Sequence, residues 1–155
     1  MLLLIAACFP YGFAGGGLPS NIKTVAVLPF ENETAQPALQ REVYDALKRD
    51  VEGRLGLQAA AESRAHAVVR GRITRYDVDI PIAYSADPNQ ATTARRKLLI
   101  TVDVEILDQT SGKTLWRRKG LTAEGEYGER SEEEGRRLAV RKLVDDVIAG
   151  AQSQW

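Results

Sequence analysis

Leu39, Val43, Leu47 and Val51 recur every fourth residue through "ALQREVYDALKRDVEGRL", with charged residues between them. That spacing predicts an amphipathic helix with one apolar stripe, ended by Gly53 or Gly56. Further along, the period changes from four to two. In "RRKLLITVDVEILD", Leu98, Ile100, Val102, Val104 and Ile106 alternate with Leu99, Thr101, Asp103 and Glu105. This predicts a strand with one buried face. In "AVVRGRITRYDVDI", residues 67–80, Val69, Gly71 and Ile73 share one face, whereas Tyr76, Val78 and Ile80 take the other parity. A bulge near Thr74-Arg75 reconciles the two halves. "KTVAVLPF" is apolar on both faces, so it predicts a covered strand, closed by Pro29.

The connections carry turn chemistry. In "ENETAQP", Asn32 is placed for an Asx turn and Thr34 for a cap. "QTSG" is a tight turn, and "KTLWRRKGLTAEG" after it reads as the antiparallel partner of the alternating strand. "SEEEGRRLAVRKLVDDVIAGAQSQW" predicts a closing helix, with Ser131 and Glu134 spaced as a capping box. Residues 81–94, rich in Pro, Ala, Ser, Asp, Asn and Thr, predict a long, partner-facing loop. The order is β-α-β-β-β-α. Two striped helices and one clean sheet face give an α+β two-layer sandwich: a four-stranded, mostly antiparallel sheet with both helices on one face.

The first 22 residues do not belong to that pattern. Residues 1–7 are apolar and lack a basic n-region, so they read as the remnant of a signal peptide whose true start lies upstream. Ile5-Ala6-Ala7 then meets Cys8, the single cysteine, which looks like a bacterial lipobox with Cys8 as the lipid-attachment site. Residues 8–22, with a triple glycine, Pro10 and Pro19, form a flexible tether, and 23–155 form one α/β domain. No apolar run reaches the roughly 20 residues that a spanning helix needs.

Composition is that of an ordinary folded domain, 44% hydrophobic and 27% charged, with zero net charge. That argues against a generic nucleic-acid partner. The charge is segregated, however: residues 64–119 carry 11 basic and 6 acidic side chains, net +5, between two acidic flanks. A basic middle suggests a local anionic partner. Catalysis finds little support. His66 is the only histidine, and no His/Cys metal cluster can be assembled around it. There is no G-x-S-x-G elbow and no phosphate-cradling glycine loop. The sequence therefore predicts no enzyme and no cofactor. The carboxylates of "EGEYGERSEEEG" read as a solvated helix start.

Alternation assigns Arg70, Arg72, Arg117 and Lys119 to the sheet face turned away from the helices, provided Trp116 is inside. Thr101, Asp103 and Glu105 share that face. Two readings stay open. The face is a solvated surface of cross-strand arginine–carboxylate pairs, each contributing about 0.2–1 kcal/mol. Or its surplus of cations receives phosphates, for which the arginine fork is suited.

Cys8, "YGFAGGGLPSNIKTVAVLPFENET", "VVRGRITRY", "DQTSGKTLW" and the C-terminal helix, in that order, resemble the LptE-type LPS-assembly lipoproteins. One departure is Ala65-His66, where the family often has Ala-Asp. The resemblance implies a non-enzymatic outer-membrane lipoprotein, anchored on the periplasmic face. It implies a plug that assists assembly of an LptD-like β-barrel and binds lipopolysaccharide (LPS); the basic face read from alternation, Arg70, Arg72, Arg117 and Lys119, then becomes the candidate LPS contact. "VAVLPFEN" also resembles the opening of curli-assembly and TolB N-terminal domains. A second reading is thus another envelope lipoprotein module, such as a peptidoglycan-synthase activator.

Overall fold

The computed structural model describes residues 18–83, 95–128 and 131–153; Cys8 and the rest of the leader lie outside them. The elements are β1 (Thr24–Val27), β2 (Glu31–Asn32), α1 (Ala38–Leu55), β3 (Gln58–Ala59), β4 (Ala67–Ala83), β5 (Arg95–Asp108), β6 (Thr114–Tyr127) and α2 (Glu132–Ser153). A single 3₁₀ turn, Glu62–Arg64, leads into β4.

The helix α1 forms where the four-residue period placed it. Leu39, Val43, Leu47 and Val51 are all fully buried, and Gly56 stops the helix in the left-handed region at φ 64°. The predicted Asx turn precedes it: Thr34 N–H donates to Asn32 Oδ1 at 3.0 Å, and Gln36 N–H donates to Thr34 Oγ1 at 3.3 Å. In α2 the first turn is closed through the Ser131 carbonyl, which accepts from Glu134 N–H at 2.9 Å. Both helical stripes and the even-numbered face of β5 join in one core. A smaller apolar cluster, Ala26, Ala65 and Val68, covers the opposite face of β1 and β4. This explains why "VAV" is apolar on both sides.

The four-stranded, mostly antiparallel sheet expected from sequence needs correction. The sheet has six strands in a mixed arrangement, ordered β3-β1-β4-β5-β6, with β2 paired separately to β4. Strand β1 runs parallel to both β3 and β4, and β2 runs parallel to β4. Only β4, β5 and β6 form the antiparallel meander. The reason is local. The α1 crossover brings the chain back in the same direction, as parallel pairing requires. Strands β2 and β3 have two residues each, too short to leave a period. The bulge in β4 falls between Ile73 and Arg75, as expected; a second irregularity surrounds Asp79, whose φ is +59°. Strand β4 also runs on to Ala83, so the predicted loop begins later, and residues 84–94 lie outside the described ones.

Helices and sheet meet closely. A Cβ on Gly125 of β6 would run into the Gly135 carbonyl of α2, and one on Gly135 would strike the Tyr127 ring. The two helices are joined by Arg136, only 12% exposed, whose Nε donates to Glu42 Oε2 at 2.8 Å and whose Nη2 donates to Glu42 Oε1 at 3.0 Å. Tyr76 of β4 donates its hydroxyl to Glu132 at 2.7 Å, and its pKa is pushed up to about 12, first by burial and then by that bond. Among the described residues no helix is long and apolar enough to cross a membrane.

Candidate functional site: a basic groove on the open sheet face

Both helical stripes pack on one side of the sheet, so the other side of β4, β5 and β6 is free of helices, and charged residues gather there between the apolar Val68 cluster and the far strand ends. Val69 and Ile73 are buried and Arg70 and Arg72 are exposed, as alternation predicts. Trp116 pairs with Ile106 on the core side, and Arg117 pairs with Glu105 on the open side. The structure brings Arg70, Arg72, Arg117 and Lys119 together around one open groove of about 540 Å³. Leu28, Pro29, Asp103 and Glu105 line it as well, the two carboxylates on β5 between the arginines of β4 and β6.

Three of the four cations are held by carboxylates. Arg70 donates from Nε and Nη2 to Glu105 Oε2, at 3.1 and 2.9 Å. Arg117 donates from Nε to Glu105 Oε1 at 3.1 Å and makes a second, shorter bond to it from Nη2. Thr114 Oγ1 donates to the same oxygen at 2.8 Å. Arg72 turns instead to β2 and the residue after it, with Nη1 3.1 Å from Glu33 Oε1 and Nε 4.0 Å from Glu31. Its pKa is raised, chiefly by the bond to Glu33. Asp103 serves the backbone: its Oδ1 accepts from Gly120 N–H at 2.8 Å.

Glu31, Glu33 and Arg118 were not marked by the sequence. The first two sit in what reads as a turn, and a two-residue parallel strand carries no periodic signal. Arg118 falls on a core parity by strict alternation, yet it lines the groove as well. The register of β6 shifts between the partners of Val102 and Val104, where Gly120 adopts φ +64°. An isolated glycine inside a strand pattern is the usual sign of such a bulge.

Glu105 sets an acid-stability prediction. Its side chain is 13% exposed and its pKa is lowered to about 2, first by the Arg117 bond and further by Thr114 and Arg70. A carboxylate with a depressed folded-state pKa stabilises the fold fully above its ordinary value of 4.5. That contribution is lost as pH falls from there through about 2. The arginines are half exposed, so solvent screening holds the contribution to about 1–2 kcal/mol. Denaturant titrations of the parent and Glu105→Gln are expected to differ most at neutral pH and to converge near pH 2. A constant difference across that range would rule out this origin.

His66 does structural work. Its Nδ1 accepts from Lys23 N–H at 3.2 Å, and its own N–H donates to Thr24 Oγ1 at 2.9 Å. It thereby ties the start of β4 to β1. Among the described residues no group of His, Cys, Asp and Glu side chains could hold a metal ion.

The family model described as "LptE: Lipopolysaccharide-assembly" matches residues 22–149. No curated protein matches the sequence. Several solved structures share its fold. A hypothetical protein from Chlamydia trachomatis aligns with a TM-score of 0.58 at 14% identity, covering 86% of this chain and 97% of that one. The PelC dodecamer subunit from Paraburkholderia phytofirmans aligns at 0.53 and 16% identity, covering 89% and 93%. A minor lipoprotein from Acinetobacter baumannii aligns at 0.50 and 17% identity, covering 87% and 94%. At such identities the likeness establishes a common fold.

Proposed function

Since this chain belongs to the LptE family of lipopolysaccharide-assembly proteins, we propose that it is a lipid-anchored, non-enzymatic subunit of the LPS export machinery. Cys8 carries the lipid and holds the domain at the periplasmic face of the outer membrane. The domain plugs an LptD-like β-barrel and assists its assembly. The groove on the open sheet face receives phosphates of LPS through Arg70, Arg72, Arg117 and Lys119.

The observation that carries this reading is the charge of the groove. Five cations, the four above and Arg118, line it against three carboxylates, Glu31, Asp103 and Glu105. Glu33 at the margin reduces the surplus without removing it. A merely solvated face would need no such excess, and phosphate is the anion that planar guanidinium forks hold best. Beside the groove the open face carries polar residues, with Thr101 and Thr122 sharing a hydrogen bond across β5 and β6 at 3.1 Å. Such a face suits the water-filled interior of a barrel.

Detergent extraction tests the partner. The intact protein, expressed in its host with a complete signal peptide, is expected to bring down a large outer-membrane β-barrel protein in a stoichiometric complex. A pull-down that yields peptidoglycan synthases or a secretion channel in place of a barrel would replace this reading with another envelope module.

A further inference from the structure

One anion site of the groove is already filled by the protein itself. Two guanidiniums and one hydroxyl converge on Glu105, and each carboxylate oxygen is taken by a different arginine. This is the donor set that would hold a phosphate monoester. The carboxylate is 13% exposed, but its clamps, Arg70 and Arg117, are 55% and 53% exposed toward the groove. The other cations differ. Arg118 and Lys119 make no ion pair among the described residues. They stand together on β6 immediately before Gly120, whose left-handed backbone interrupts the strand register. The groove thus has two cations, Arg118 and Lys119, without an ion pair among the described residues, and two held by Glu105.

We propose that Glu105 is a built-in competitor for the phosphate. A ligand phosphate lands first on Arg118 and Lys119, then displaces Glu105 from Arg70 and Arg117. Glu105 thereby limits affinity and speeds release, as a protein that hands its ligand onward requires. This rests on the reading that the groove takes a phosphate-bearing lipid. It adds Glu105 as the residue that sets residence time and Arg118 as a direct contact. Exchange costs little in hydrogen bonds, because an incoming phosphate offers the arginines the same geometry that the carboxylate gave up. Glu105→Gln keeps the shape and removes the competing charge.

The test titrates the lipidated protein, expressed with a complete signal peptide and held in detergent micelles, with two probes. One is purified LPS; the other is inorganic pyrophosphate, which has the anion without the acyl chains. Glu105→Gln is expected to bind both about tenfold more tightly, mainly through slower dissociation, since contacts between charged groups are worth a tenfold change or more. Arg118→Ala combined with Lys119→Ala is expected to weaken both about tenfold, mainly through slower association. Should Glu105→Gln fail to fold, Thr114→Val loosens the hold on Glu105 with a β-branched residue and is expected to tighten binding a few-fold. A folded Glu105→Gln or Thr114→Val that binds both probes no more tightly than the parent overturns the proposal. If LPS binds but the variants show no gain, the competitor is refuted and the LPS reading stands. If pyrophosphate shows the gain but LPS does not bind, the competitor holds and the LPS reading falls. Binding of neither probe refutes both.

Discussion

Phe30→Ala is expected to destabilise the domain by about 3–5 kcal/mol, the cost of emptying a fully buried aromatic site. Phe30 has no exposed surface, and its ring lies against Gly71 of β4, where a Cβ would collide with it and with the Asp103 carbonyl. The ring thus fills the space that a glycine leaves on the core side of the strand bearing Arg70 and Arg72. Its backbone is fixed as well: the Phe30 carbonyl accepts from Gln40 Nε2 of α1 at 2.6 Å. Flanking hydrogen bonds, from Leu28 N–H to the Val69 carbonyl and from Glu33 N–H to the Ile73 carbonyl, dock the whole segment on β4. Losing the ring should therefore lower the melting temperature by about 10 °C, given 2–4 °C per kcal/mol for a domain of this size. It should also free Glu31 and Glu33 from Arg72. Ile82→Ala, at a residue 40% exposed, is the control and should stay within about 0.5 kcal/mol of the parent. A Phe30→Ala melt indistinguishable from that control would show that the β1–β2 segment is not part of the cooperative unit.

That prediction could not have been made from sequence, for a physical reason. Phe30 lies between Pro29 and Glu31, outside any repeating pattern. Periodicity reports only elements long enough to repeat. It placed α1 over Ala38–Leu55 and β5 over Arg95–Asp108, and located the bulge between Ile73 and Arg75. It also put Arg70, Arg72 and Arg117 on the open face, because side-chain parity holds along an unbroken strand. It missed β2 and β3, and with them the parallel half of the sheet and the carboxylates that hold Arg72. It did not mark Arg118, which pairs with the buried Val104 just before the register shift at Gly120 and still lines the groove. Gly135 carries a similar lesson. By helix propensity it weakens the first turn of α2, yet its backbone lies where only Gly125 lets helix and strand approach. The cost in propensity is accepted locally because the contact is tertiary.

Binding of LPS by the cations of the groove is tested most directly by the salt dependence of that binding. Arg72→Glu combined with Arg117→Glu reverses one cation on each side of the β5 carboxylates Asp103 and Glu105. Each reversal removes a charge-assisted bond to phosphate worth about 1.5–3 kcal/mol, so LPS affinity at low salt should fall about 100-fold or more. The parent should weaken steeply as ionic strength rises and the variant far less, because the charges that salt screens have been removed. Arg117→Glu also releases Glu105, so the melt should fall by several degrees while the fold is retained. The expected combination is weak binding, a flattened response to salt, and a retained fold. A folded double variant that binds LPS as tightly as the parent, with the same response to salt, would contradict it.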